Sequence, residues 1–87
     1  MYEPAFHPDV AKDLQGLDKN VRLRILDKIR WLLEHVEELH HKSLTAQWEG
    51  MHRLRISDYR VVYGIDRNNK RIVIYAVGHR RDIYKLR

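Results

Sequence analysis

The 87-residue chain has no cysteine. That excludes a disulfide scaffold, a thiolate zinc site and a cysteine nucleophile, and it fits a reducing compartment. No apolar run approaches the ~20 residues that span a bilayer. The opening MYEPAFHPDV lacks the plan of a secretory signal. A cytoplasmic chain with no membrane contact is therefore expected. There is no Gly-rich phosphate loop, no Ser-His-Asp order, no repeat and no linker. His35 and His40 stand five apart, not at the His-Glu-x-x-His spacing. They and His41 read as solvated side chains that favour a helix end. No metal and no cofactor is expected.

What the chain does have is uneven charge. Lysine and arginine total 17 against 12 acids, a net charge of +5. Residues 1–51 hold 7 basic and 9 acidic side chains, whereas residues 52–87 hold 10 and 3. A basic C-terminal half on a nearly neutral N-terminal half points to a polyanion as partner. The length suits one domain, 1–87, with a modest core.

Residues 2–6 read as an edge strand that tolerates Pro4. His7, Pro8 and Asp9 read as a helix start. Val10, Leu14 and Leu17 mark one face of a short first helix. Asp18 can cap a second, on which Val21, Ile25, Ile29, Leu32, Leu33 and Val36 recur at helical spacing to about His40. Residues 42–50 read as a loop or a short strand. Residues 51–57 and 59–66 alternate as strands joined at Ser57 and Asp58. Arg67, Asn68, Asn69 and Lys70 form a hairpin turn, and residues 71–77 a third strand. The expected fold is α+β, an N-terminal helical hairpin packed on a small antiparallel sheet. The other face of that sheet is left for solvent or for a ligand.

Alternation then places the charge. If Leu54 and Ile56 face the helices, Arg53 and Arg55 face away. If Val61, Tyr63 and Ile65 face inward, Arg60 joins them outside. Guanidinium groups gathered this way match phosphate in bidentate geometry. The last strand leads into Val77-Gly78-His79-Arg80-Arg81-Asp82-Ile83-Tyr84, adding an imidazole, more guanidinium groups and a phenol. Arg81 and Lys85 extend the basic set along the tail 78–87. Trp31 and Trp48 read first as packing residues and second as platforms for bases.

The stretch Trp48-Glu49-Gly50-Met51-His52-Arg53-Leu54-Arg55-Ile56-Ser57-Asp58-Tyr59-Arg60-Val61-Val62-Tyr63 resembles the central signature of the RelE/ParE toxin superfamily. The segment from Val77 to Tyr84 resembles that family's closing segment, so the likeness spans nearly the whole chain. It implies a RelE-like microbial RNase fold. It also implies a toxin of a type II toxin–antitoxin pair, a ribosome-dependent endoribonuclease that cuts messenger RNA in the A site. The partners it implies are a RelB-like acidic antitoxin, in a hetero-oligomer, and the 70S-type ribosome carrying its message. Carried over by position, Arg53 and Arg55 match the basic pair of one strand and Arg60 the arginine of the next. Arg80 and Tyr84 match the closing arginine and tyrosine. RelE-type enzymes often carry lysine where this chain has Arg53 and Arg55, and the spacing from Arg80 to Tyr84 is shorter than in some relatives.

Cleavage without a metal uses the 2′-hydroxyl as nucleophile. It needs a base, donors for the phosphorane and an acid for the leaving oxygen. Arg60 and Arg80 suit the second role, because fixed cations stabilise charge that develops in the transition state. Arg53, Arg55, Arg81 and Lys85 suit substrate phosphates. A guanidinium is no proton acceptor, so His79 or Tyr84 must move the protons. His79 is expected as acid or base, with Tyr84 stacking on or orienting the cleaved nucleotide; His52 faces the core. The alternatives are a ParE-like inhibitor of DNA gyrase, a non-catalytic RNA-binding module, and an inactive toxin.

Overall fold

A computed structural model describes residues 1–85; the last two positions of the expected basic tail, Leu86 and Arg87, lie outside the described residues. The elements run β1 (Glu3–Phe6), α1 (Pro8–Gln15), α2 (Lys19–His35), β2 (Lys42–Ser43), β3 (His52–Ile56), β4 (Tyr59–Asp66) and β5 (Arg71–His79). Short 3-10 turns occupy Val36–Glu38, Ala46–Trp48 and Ile83–Lys85. The sheet order is β1-β5-β4-β3-β2. No helix among the described residues is long and apolar enough to cross a membrane.

A strand, not the helical hairpin, opens the fold. β1 pairs parallel with β5, Glu3 opposite Arg71 and Phe6 opposite Ile74. The other pairings are antiparallel, so the five-stranded sheet is mixed rather than antiparallel. Pro4 brings no amide hydrogen and is tolerated because β1 is an edge. Buried Tyr2 anchors the strand. Its amide donates to the Leu33 carbonyl at 3.1 Å, and its hydroxyl donates to the Glu37 carboxylate. Arg67 of the β4–β5 turn donates to both oxygens of that carboxylate at 3.0 Å. Three distant segments thus meet on one acid.

Both helices start where side chains accept early amides. His7 Nδ1 accepts from the Asp9 amide at 3.2 Å, and an Asp18 carboxylate oxygen from the Asn20 amide at 3.3 Å. α2 stops at His35 rather than at His40. His35 leaves helical geometry with φ of −125°, and Leu39 is already extended. The break frees Glu37 to meet Tyr2 and Arg67.

Val10, Ile25, Ile29, Leu32, Leu33 and Val36 pack on Val61, Tyr63, Ile72, Ile74 and Val77. Each fully buried aliphatic side chain contributes roughly 1.5–3 kcal/mol. In their middle stretches, 61–63 of β4 and 72–77 of β5, the strands are apolar on both faces, as strands covered on both sides are. A bulge shifts the β4–β5 register: Val62 faces Ala76, while Tyr63 faces Ile74. Tyr75 is the extra residue. Ile74 and Val77 therefore both reach the helix side across a spacing of three.

The face left for solvent or a ligand is covered in part. Trp48, Val62, Ala76 and Ile83 form a second buried cluster there, flanked by Leu44, Met51, Tyr75 and Tyr84. Gly50, with φ of +89°, turns the chain from Trp48 back into β3, a conformation that favours glycine.

Candidate functional site

Strand register puts the basic residues in two rows on this outer face. Lys42, Arg53, Val62 and Ala76 lie across β2, β3, β4 and β5. One same-face step along, about 7 Å away, lie Arg55, Arg60 and Gly78. Arg55 and Arg60 are direct cross-strand partners. Like charges placed this way destabilise a sheet.

Arg60 is the centre of the group. It is only 7% exposed, the one charged residue buried among those described. Its Nη1 donates to the Ser57 and Tyr59 carbonyls, each at 2.8 Å. Burial, then the charges of Arg55, Arg53 and Arg80, holds its pKa below the ordinary arginine value; Tyr84 acts in the opposite sense. A guanidinium stays protonated even so. The cluster thus sets one buried cation among more exposed ones, and an anion would relieve their repulsion.

Arg80 is tied to the same turn. Its amide donates to the Asp58 carbonyl at 2.8 Å, and its Nε lies 3.8 Å from the Asp58 carboxylate. That ion pair is half-exposed and weak on its own. Three successive carbonyls, of Ser57, Asp58 and Tyr59, therefore hold Arg60 and the start of the Arg80 segment. Ser57 adopts φ of +54° to do this, a left-handed conformation that costs a non-glycine residue roughly 1–2 kcal/mol. Sequence reasoning read this pair only as a turn; its role in holding arginines depends on contacts across the hairpin.

Of the expected site residues, Arg53, Arg55, Arg60, Arg80 and Tyr84 come together around Arg60. Tyr84 meets Trp48 edge-on, with ring centroids 6.4 Å apart. Arg81 and Lys85 lie exposed on the segment after β5. His79 does not join the group. It is the strand partner of Tyr59 and packs edge-on against that ring at 5.5 Å, on the helix side of the sheet. Its Nδ1 accepts the Arg81 amide at 3.2 Å. The reason is register: Arg60 pairs with Gly78, which sends the next residue to the opposite face. Ile83 packs over Gly78, where a Cβ would meet Ile83 Cδ1 at 3.4 Å, an ordinary van der Waals contact.

The other histidines depart from the solvated reading in part. His41 Nε2 donates to the Val36 carbonyl at 2.8 Å, which leaves Nδ1 to accept from the Tyr63 hydroxyl at 2.6 Å in the neutral ring. His52 faces the core as expected, beside His41 and Tyr63. Burial pushes the Tyr63 hydroxyl up to about 12. No group of three metal-ligating side chains occurs among the described residues.

The family model for the ParE toxin of type II toxin–antitoxin systems, parDE, matches residues 5–84. The chain belongs to the RelE/ParE toxin family. Toxin RelE of Mycobacterium tuberculosis is 31% identical to this toxin over 85 residues, covering 98% of this chain and 88% of that one. Putative toxin RelE4 of Methanocaldococcus jannaschii is also 31% identical, over 98% of this chain and 93% of its own. In fold, the toxin is similar to the M. tuberculosis RelBE2 toxin–antitoxin complex, with TM-score 0.80 and 24% identity over 90% of this chain and 96% of that one. The isolated E. coli RelE toxin gives 0.76 and 21%, over 91% and 84%.

Proposed function

We propose that this toxin is an endoribonuclease that cuts messenger RNA in the ribosomal A site and so halts translation. The observation that carries the reading is Arg60, a buried guanidinium fixed by two carbonyls among three other arginines and a tyrosine. Preorganised cations of this kind stabilise the extra negative charge of a phosphorane without reorganising during reaction. Arg53 and Arg55 hold the substrate phosphates, Arg60 and Arg80 meet the developing charge, and Arg81 and Lys85 extend the track along the tail.

Attack by the 2′-hydroxyl moves one proton off the nucleophile and one onto the leaving 5′-oxygen. Tyr84 is the proton-bearing group beside the cluster. His79, on the other face, serves by packing on Tyr59 and accepting the Arg81 amide. The M. tuberculosis and E. coli relatives form complexes with RelB-type antitoxins. An acidic antitoxin that covers the arginine cluster is the corresponding partner here.

The test is purified toxin added to ribosomes with a bound message, with the cleaved ends mapped. Cleavage in the A site that Arg60→Ala and Tyr84→Phe strongly lower, and His79→Ala retains, is expected. An His79→Ala variant as inactive as Arg60→Ala returns the proton to His79. The family match to ParE favours a second reading, inhibition of DNA gyrase. Intact messages together with early DNA damage would establish that reading instead.

A further inference from the structure

Two buried donors on the outer face have no acceptor. Trp48 is 9% exposed, and its indole Nε1 is closed to solvent without a hydrogen-bond partner. The Tyr84 hydroxyl is likewise buried and unpartnered. The two rings meet edge-on, yet their polar atoms do not bond each other. Buried polar side chains are almost always paired, so two adjacent orphans call for a cause.

Their surroundings select the ligand. Trp48 packs with Val62, Ala76 and Ile83, beside Leu44 and Met51. Such walls exclude a phosphate, whose charge is too costly to bury there. The row that holds Val62 and Ala76 lies one same-face step from the row of Arg55 and Arg60. A nucleotide with its phosphates on the arginines thus has its base within reach of Trp48. The backbone holds Trp48 in place, because its amide donates to the Thr45 carbonyl at 3.2 Å and its carbonyl accepts the Met51 amide at 3.0 Å.

We propose that Trp48 is a nucleobase contact beside Tyr84, in which the indole N–H donates to an acceptor on the edge of an RNA base. This rests on the endoribonuclease reading above and makes Trp48 a specificity-determining residue within it. Both donors are closed to solvent, so the base enters as the Ile83–Lys85 turn, which carries Tyr84, shifts from Gly78. The base discriminates by its acceptors; an edge that presents a donor to the indole leaves two donors facing each other.

The chain has two tryptophans, so the indole N–H region of a ¹⁵N spectrum holds two signals. Trp31, on the exposed side of α2, is the internal control. Wild-type toxin is titrated with a 2′-O-methyl RNA trinucleotide, its abasic counterpart and inorganic phosphate. The Trp48 signal is expected to move downfield with the base-bearing RNA alone, while Trp31 stays. A Trp48 signal unmoved at saturating RNA, or moved equally by phosphate, overturns the contact. In the ribosome assay, Trp48→Phe keeps a ring and loses the N–H. Discrimination between codons is expected to fall about five- to ten-fold, the value of one hydrogen bond; unchanged discrimination also overturns the proposal. A wild-type toxin that cuts no message defeats the endoribonuclease reading, and the titration still decides whether Trp48 takes a base.

Discussion

The helix side of the sheet buries twelve residues in one continuous cluster, all apolar or tyrosine. Among the described residues the outer face buries four apolar side chains and Arg60, and gathers arginines that repel one another. The first arrangement lowers the free energy of the fold. The second raises it locally and holds cations where an anion would relieve them. Stability and the proposed activity therefore rest on opposite faces, joined through the strands they share and the turn at Ser57.

The largest expected effect attacks the first face. Leu32→Ala should cost about 2–5 kcal/mol, because Leu32 is fully buried and its neighbours cannot close the cavity. In a domain this small the melting temperature should fall by about 10 °C or more, while cleavage well below the melting point persists. Arg60→Ala should do the reverse, lowering cleavage about 10²–10³-fold with a smaller shift in melting than Leu32→Ala. Equal thermal losses in the two variants would collapse the distinction between the faces.

Ser57 probes the link between them. Ser57→Val places a β-branched residue at positive φ and should cost about 1–2 kcal/mol. It should also weaken cleavage, by loosening the carbonyls that hold Arg60. Ser57→Gly accepts the same conformation without that steric cost, so it should melt no earlier than wild type and preserve cleavage. A valine variant that melts early yet cuts at the normal rate would show that the turn does not position Arg60.

The smallest expected effect is a pH dependence on the helix side. Burial, then the charges of His41 and Arg67, lowers the His52 pKa from its ordinary value of 6.5. Tyr63 is the remaining titratable group packed on that ring. Above that pH the imidazole is neutral in both folded and unfolded chains. Below it the unfolded chain takes up a proton that the fold resists, so stability is lost as pH falls from about 6.5 through the lower folded-state value. Melting measured from pH 7 to pH 5 should decline, and His52→Phe should flatten that slope.

Much of the outer face was legible from alternation. Arg53, Arg55 and Arg60 stand where the period of two puts them, because β3 and the start of β4 run without interruption. The bulge was not legible. Residues 72–77 are apolar on both faces, so no alternation records where the register slips. His79 was misplaced for a related reason, since the residues before it carry no polar marker of face. The second cluster depends on Trp48 and Ile83, which arrive from turns outside the strands. The end of α2 was misjudged because the pull of Tyr2 and Arg67 on Glu37 is equally non-local.

The parallel pairing of the first strand with the last has a consequence for synthesis. Glu3 finds its partner only when Arg71 exists, and such distant pairings are slow to close. A growing chain can form its helices early, but β1 has no neighbour until the final strand emerges. The arginine cluster draws on β3, β4 and the turn after β5, so it too assembles last. A chain interrupted before that point carries most of the basic residues and none of their arrangement.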